Sequence, residues 1–267
     1  MPHVKANGIS IYYEIHGQGE PVLYIGGTGG DLRAKPNVFD GPLSKTMEVL
    51  AYDQRGLGQT DKPETDYTMM DYADDVAALM DALGWDQANV VGVSFGGMVA
   101  LQLVLRHPQR VQKLVLCCTS PGGSMQSYPF HDLPADLSLE QRTLQLMGVN
   151  DTRRDEVWQK EHPEQVQRII DYTVEHAIPE HQTERFRSGA LRQIMARAGH
   201  NVHASLSEIS VPTLICAGKY DGIAPPENQE AMLSAISGSQ LQWFEGGHLF
   251  LIQDKSAWPA TIEYLQA

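Results

Sequence analysis

"NVVGVSFGGMVALQL", residues 89 to 103, sets three glycines around one serine where a strand pattern gives way to a helix pattern. Upstream, "ANVVGV" is a short apolar run of strand type. Downstream, "GMVALQLVLRHP" carries apolar residues at helical spacing and stops before Pro108. Gly92, Gly96 and Gly97 would each cost a regular element about 0.5–1 kcal/mol relative to Ala, so the junction itself must require them. Gly92-Val93-Ser94-Phe95-Gly96 fits G-x-S-x-G in the strand-turn-helix context that presents a nucleophilic serine. A serine on so tight a turn takes strained backbone angles. The residues two before and two after it then crowd each other, and glycine removes the clash. The turn also puts Ser94 at the positive end of the next helix, where developing negative charge is favoured. As a bare string the motif arises by chance, because glycine and serine are common. The context separates the two readings.

At 267 residues the chain can bury a sizeable core, either as one domain with an insertion or as two domains. Hydrophobic residues at 42% and charged residues at 20% are ordinary for a water-soluble protein. A net charge of −13 argues against a nucleic-acid partner, which needs a basic surface. No apolar run reaches the roughly 18 residues of a transmembrane helix, so no membrane partner is expected. The start, "MPHVKANGISIYYEIHG", lacks the basic-then-apolar layout of a secretory signal. Cys117, Cys118 and Cys216 lie in apolar, strand-like runs and are odd in number. They read as small core side chains of a protein kept reduced in the cytoplasm, not as a disulfide framework.

Turn signals and periodicity organise the rest. "ISIYYEIH" follows an Asn7-Gly8 turn and makes an N-terminal hairpin. "PVLYIGG", "MEVLAYDQRG", "RVQKLVLCCTS", "VPTLICAG" and "QLQWFEGG" are further strands. Helical patterns run over residues 66–84, over "PPENQEAMLSAIS" and over "KSAWPATIEYLQA". Strands alternating with helices predict an α/β fold, a mostly parallel sheet flanked by helices. Residues 122–205 break the rhythm with four helical patterns and no strand. They read as an inserted helical cap, with 1–121 and 206–267 forming the core.

A serine hydroxyl needs a base, and the base needs an acid to hold its tautomer. On a sheet of this kind the expected chain order is Ser, then Asp or Glu, then His. "LICAGKYDGIAPP" offers Asp221 in the loop after a strand, and "WFEGGHLFLIQD" offers His248 after the last one. Loops at strand ends are where a parallel sheet collects such residues. Asp221 could instead serve as a turn or N-cap residue, and His248 as an ordinary loop histidine among ten. For an oxyanion the expected donors are the N–H of Phe95, next to the serine, and that of Thr28 in the glycine-rich "GGTGGD". That loop is no phosphate cradle, because no Gly-Lys-Ser/Thr follows and the G-x-G-x-x-G spacing fails at Leu32. A plain flexible turn is the other reading. "HPEQ" and "EHAIPEH" do not set two histidines on one helix face, so no metal is expected. No cofactor is implied either.

With these residues in hand, the sequence resembles the α/β-hydrolase family outside the cap. The resemblance rests on "GVSFGG", "AYDQRGLGQTDKP", "LICAGKYDGIAPP" and "EGGHLFLIQ". It implies Ser94 as nucleophile, Asp221 as acid and His248 as base. Many members open the oxyanion loop with His-Gly, where this chain has Gly26-Gly27. In length and layout the chain is similar to single-cap members that open small esters and lactones, such as 3-oxoadipate enol-lactonase. A serine nucleophile sets it apart from the haloalkane dehalogenases of the family, which use Asp there.

Three functions follow as expectations. The first is hydrolysis of a small-molecule carboxylic ester or lactone through an acyl-enzyme on Ser94. The second uses the same three residues to break a carbon–carbon bond beside a ketone, or takes peroxide in place of water. The third is a ligand receptor without catalysis. The cap is expected to select the substrate without joining the chemical step. Tyr128, Phe130, Trp158, Tyr172 and Phe186, with Met125, Met147 and Met195, are candidates for an apolar pocket or for cap packing. Arg185, Arg187, Arg192 and Arg197 are candidates for a carboxylate clamp or for a solvated face. A homo-oligomer stays open.

Overall fold

A computed structural model gives the structure, describing residues 2–134 and 136–267. Asn7 and Gly8 both take positive φ, 45° and 77°, as a two-residue hairpin turn demands. They join β1 (His3–Ala6) to β2 (Ile9–His16), which pairs antiparallel with β4 (Glu48–Tyr52). From there the sheet is parallel: β4 beside β3 (Pro21–Ile25), then β5 (Ala88–Val93), β6 (Val111–Cys117), β7 (Thr213–Gly218) and β8 (Gln240–Phe244). This is the expected mostly parallel sheet.

Alternation along the strands feeds two cores. Leu23, Val90, Leu114, Leu116 and Ile215 face one side, against α1 (Met69–Leu83), α2 (Phe95–Arg106) and α7 (Pro226–Ala235). Val22, Val91, Val115, Cys117 and Cys216 face the other, where α9 (Ala257–Gln266) packs behind the short α8 (Phe250–Gln253). A strand covered on both faces reads as a continuous apolar run, which is why β5 to β7 were easy to find. The three cysteines are buried and unbridged. Helix α1 starts at a Thr68–Asp71 capping box and stops where Gly84 turns left-handed, at φ 72°.

Between β6 and β7 the chain makes α3 (Leu139–Asn150), α4 (Glu156–Glu161), α5 (Pro163–Glu175) and α6 (Glu184–Ala198), a helical cap region. Among the described residues no helix is long and apolar enough to cross a membrane.

Candidate active site

Ser94 stands at the end of β5, in the middle of the sheet, with φ 55° and ψ −117°. A non-glycine residue held there costs roughly 1–3 kcal/mol, so its surroundings must impose it. They do so through the backbone: the Ser94 N–H donates to Cys117 O at 2.8 Å. Its carbonyl accepts from the Thr119 hydroxyl at 2.7 Å and from the Gly97 N–H at 2.9 Å. The three glycines answer to different neighbours. A Cβ on Gly92 would stand 2.5 Å from Gly96 O, one on Gly96 2.0 Å from Ile25 O, and one on Gly97 2.5 Å from the Thr119 side chain. Thus the crowding across the turn is real at Gly92. Gly96 and Gly97 are needed because β3 and the segment after β6 press on the turn.

The structure brings Ser94, Asp221 and His248 together. His248 Nε2 lies 2.8 Å from Ser94 Oγ, and Nδ1 lies 2.8 Å from Asp221 Oδ2. With an ionised Asp221, the network assigns the proton to Nδ1 and leaves Nε2 as acceptor for the serine hydroxyl. Asp221 is 3% exposed, and its other oxygen accepts the N–H groups of Ile223 (2.8 Å) and Ala224 (3.0 Å). Both readings of this aspartate therefore hold at once, the turn residue on one oxygen and the histidine partner on the other. Cys118 Sγ joins the pair, the possible ligand atoms of all three lying within 4.8 Å of one another. Asp221 and His248 are already bonded to each other.

Beside Ser94 runs the glycine-rich loop after β3. A Cβ on Gly27 would be 3.5 Å from Ser94 Cβ. Neither the Thr28 nor the Phe95 N–H donates to a backbone acceptor among the described residues. Phe95 opens α2, where the first N–H groups have no partner within the helix. The "DQRG" stretch supports this loop, since Asp53 accepts the N–H of Leu32 at 2.7 Å and of Gln59 at 2.8 Å.

Several contributors carry no sequence signal. Thr119 fixes the Ser94 carbonyl. The end of α3 holds both loops of the site: Val149 O accepts the Gly222 N–H at 3.0 Å, and Asn150 O accepts the His248 N–H at 2.6 Å. The cap thus touches the machinery directly, which the sequence expectation did not include.

Of the four cap arginines, Arg185 and Arg187 point to solvent, and Arg192 caps Glu64 O from a half-buried position. Arg197 is buried and has no acidic partner among the described residues; it donates to Tyr128 O and Ser127 Oγ and lies 4.3 Å from the Phe130 ring centre. Its Nε has no acceptor among the described residues. Burial pulls its pKa down to about 10, against the opposing charge of Asp221, so it stays cationic near neutrality. Next to it His200 is buried, and burial pushes its pKa down to about 4. Arg197, His200, Met98 and Ser120 line a cavity of about 20 Å³. Tyr128 and Phe130 line it too, whereas Tyr172 and Met195 are exposed and Trp158 stacks on His162.

Comparison with known proteins agrees with this fold. The family model described as the alpha/beta hydrolase fold matches residues 20–255. A putative carbamate hydrolase of Variovorax paradoxus is 28% identical over 266 residues, covering 94% of each chain. A poly(3-hydroxyalkanoate) depolymerase of Ectopseudomonas oleovorans is 29% identical over 92% of this chain and 84% of its own. The crystal structure of an enol-lactonase from Burkholderia xenovorans superposes with a TM-score of 0.78 at 25% identity, covering 99% of both chains. The family model spans most of the chain, over the same sheet that carries Ser94, and on that ground the chain belongs to the α/β-hydrolase family.

Proposed function

We propose that this chain hydrolyses a small-molecule carboxylic ester or lactone through an acyl-enzyme on Ser94. The observation that carries the reading is the unbroken line Ser94 Oγ–His248–Asp221, with the second Asp221 oxygen tied to its own loop. Neutral His248 takes the hydroxyl proton at Nε2 as Ser94 Oγ adds to the carbonyl carbon. Asp221 holds the imidazole in the right tautomer and stabilises the imidazolium that forms. The oxyanion receives the N–H groups of Thr28 and Phe95. The tetrahedral intermediate collapses as His248 returns the proton to the leaving alkoxide. Water, deprotonated by His248, then adds to the acyl carbon; the bond to Ser94 Oγ breaks, His248 returns the proton to that oxygen, and the acid leaves. In a lactone the leaving alkoxide stays tethered to the acyl group. The cap region, 122–205, covers the site and selects the substrate.

The test is a panel of simple esters and lactones, with a serine-directed phosphonate as label. Turnover to acid and alcohol is expected, with one adduct, located on Ser94 by mass spectrometry. Turnover with an adduct on any other serine removes the assignment.

The buried, acid-free Arg197 favours substrates with a carboxylate at the acyl end. Met98 lies one helical turn beyond Ser94 on α2 and lines the same cavity. At about 20 Å³ the cavity is little larger than one water needs, so it could take only the tip of a substrate and not a whole ligand. Hydrogen bonds to a charged group are worth roughly 1.5–3 kcal/mol. Arg197→Met is therefore expected to lower kcat/KM for a dicarboxylic acid monoester about tenfold more than for its neutral isostere. Equal losses on both substrates would remove the clamp.

A further inference from the structure

The loop that flanks Ser94 is held in place by two glutamines that no motif marks. Gln54, in the turn after β4, donates from Nε2 to Gly26 O at 2.7 Å. Gln193, on the inward face of α6, accepts the Gly29 N–H on Oε1 at 2.9 Å. Its own Nε2 lies 3.4 Å from Gln54 Oε1 and closes the chain between them. Both side chains are buried, Gln193 completely. The chain Gly26–Gln54–Gln193–Gly29 therefore brackets two residues, Gly27 and Thr28.

The first of them, Gly27, lies against the reacting serine, and the Thr28 N–H is the candidate oxyanion donor. The Thr28 hydroxyl is buried and has no partner among the described residues, so none of them anchors the loop through it. Within residues 26–30 the backbone makes one bond of its own, Gly30 N–H to Gly27 O at 3.2 Å. Four of these five residues are glycine, the residue with the most conformational freedom to lose. Such a loop does not set its own geometry, and an oxyanion donor displaced by an ångström loses most of its effect. A buried glutamine is also a costly way to fill space, because its amide must be satisfied. Leucine would fill the same volume without that demand.

The geometry points to Gln193 as a positioning residue: acting through Gly29 and Gln54, it sets the Thr28 N–H where the oxyanion forms. This rests on the ester-hydrolase reading, since that chemistry develops an oxyanion beside Ser94. Its consequence is that the seating of the cap controls the chemical step as well as the choice of substrate. Gln193 comes from α6, and the loop it holds belongs to the sheet.

The experiment uses Gln193→Leu, with Gln193→Met as a second variant of similar volume should the first not fold. Three quantities are read: kcat and KM on a neutral ester, inhibition by a trifluoromethyl ketone, and inhibition by a planar amide of the same shape. The ketone is attacked by Ser94 Oγ, whose proton passes to His248, and its carbonyl oxygen becomes the oxyanion. Expected is a fall in kcat on the order of tenfold to a hundredfold with KM nearly unchanged. The ketone should lose affinity by the same factor, and the amide should not. A structural role alone would instead lower the melting temperature, or weaken both inhibitors alike, with kcat kept. Either result overturns the proposal, as does a Gln193→Leu protein with wild-type kcat. If the parent reading is at fault, the wild-type protein itself forms no ketone adduct on Ser94, and the two failures are thereby told apart.

Discussion

Ser94→Ala is expected to fold normally and to lose at least about a thousandfold in kcat, because the three residues act as a unit. The substitution deletes one oxygen and leaves the backbone untouched. The bonds that hold the strained turn, from Ser94 N–H to Cys117 O and from Thr119 and Gly97 to Ser94 O, all involve main-chain atoms of residue 94. The melting temperature should therefore stay level or rise slightly. What is lost is the hydroxyl 2.8 Å from His248 Nε2. A small residual rate is expected from the oxyanion donors and from substrate binding, which survive the change. Steady-state kinetics beside a thermal melt decide the matter. A rate near that of the wild type would place the nucleophile elsewhere.

Gly96→Val should be as damaging to activity and, in contrast, to stability as well. Its Cβ would meet Ile25 O at 2.0 Å, Ile25 C at 2.5 Å and Gly26 O at 2.6 Å, all backbone atoms with little room to move. Overpacking costs on the order of 1–3 kcal/mol, a drop of roughly 2–6 °C in melting temperature for a chain of this size. The relief available is to push α2 away from β3. That separates the Phe95 N–H, on the helix, from the Thr28 N–H, on the loop that continues from Ile25 and Gly26. Loss of one oxyanion donor costs roughly 10²–10³ in kcat, and here the spacing of both is disturbed. Helix propensity alone forecasts the opposite sign for stability, since valine is the better helix former. A Gly96→Val protein that is both stable and active would contradict the reading of this turn.

The parts of the site that were legible are those written in local chemistry. Gly92 to Gly96 announce a turn that few other sequences need. Asp221 and His248 were found by their order and by their place after strands, each within a short quotable stretch. Thr119, Val149 and Asn150 were not, because two of them act through main-chain carbonyls that any residue could supply. Gln54 and Gln193 lie far apart in the chain and have no motif, so only the folded contact reveals them. In the fold, the Asn7-Gly8 hairpin and the apolar strands were plain. Helix α8 was missed, since four residues are too few to display a period. The aromatic candidates divided on a point that periodicity cannot address. Tyr172 and Trp158 stack on histidines four residues later in the chain, while Tyr128 and Phe130 line the cavity beside Arg197.

The two carbonyls at the end of α3 bear on how such a protein could be re-engineered or could diverge. Val149 O and Asn150 O hold the amides of Gly222 and His248, so the loops of Asp221 and His248 are both referenced to one helix terminus. An inserted block is often regarded as an interchangeable part, open to shuffling between relatives to change substrate range. Here a transplanted block would also need a helix ending at the same point, with its last carbonyls aimed at the same two amides. A graft that matched only the pocket lining would bring in a new specificity while leaving His248 without its backbone anchor. Sequence drift within the block is free along the outer faces of its helices, whereas at that terminus the path of the backbone is constrained whatever side chains stand there.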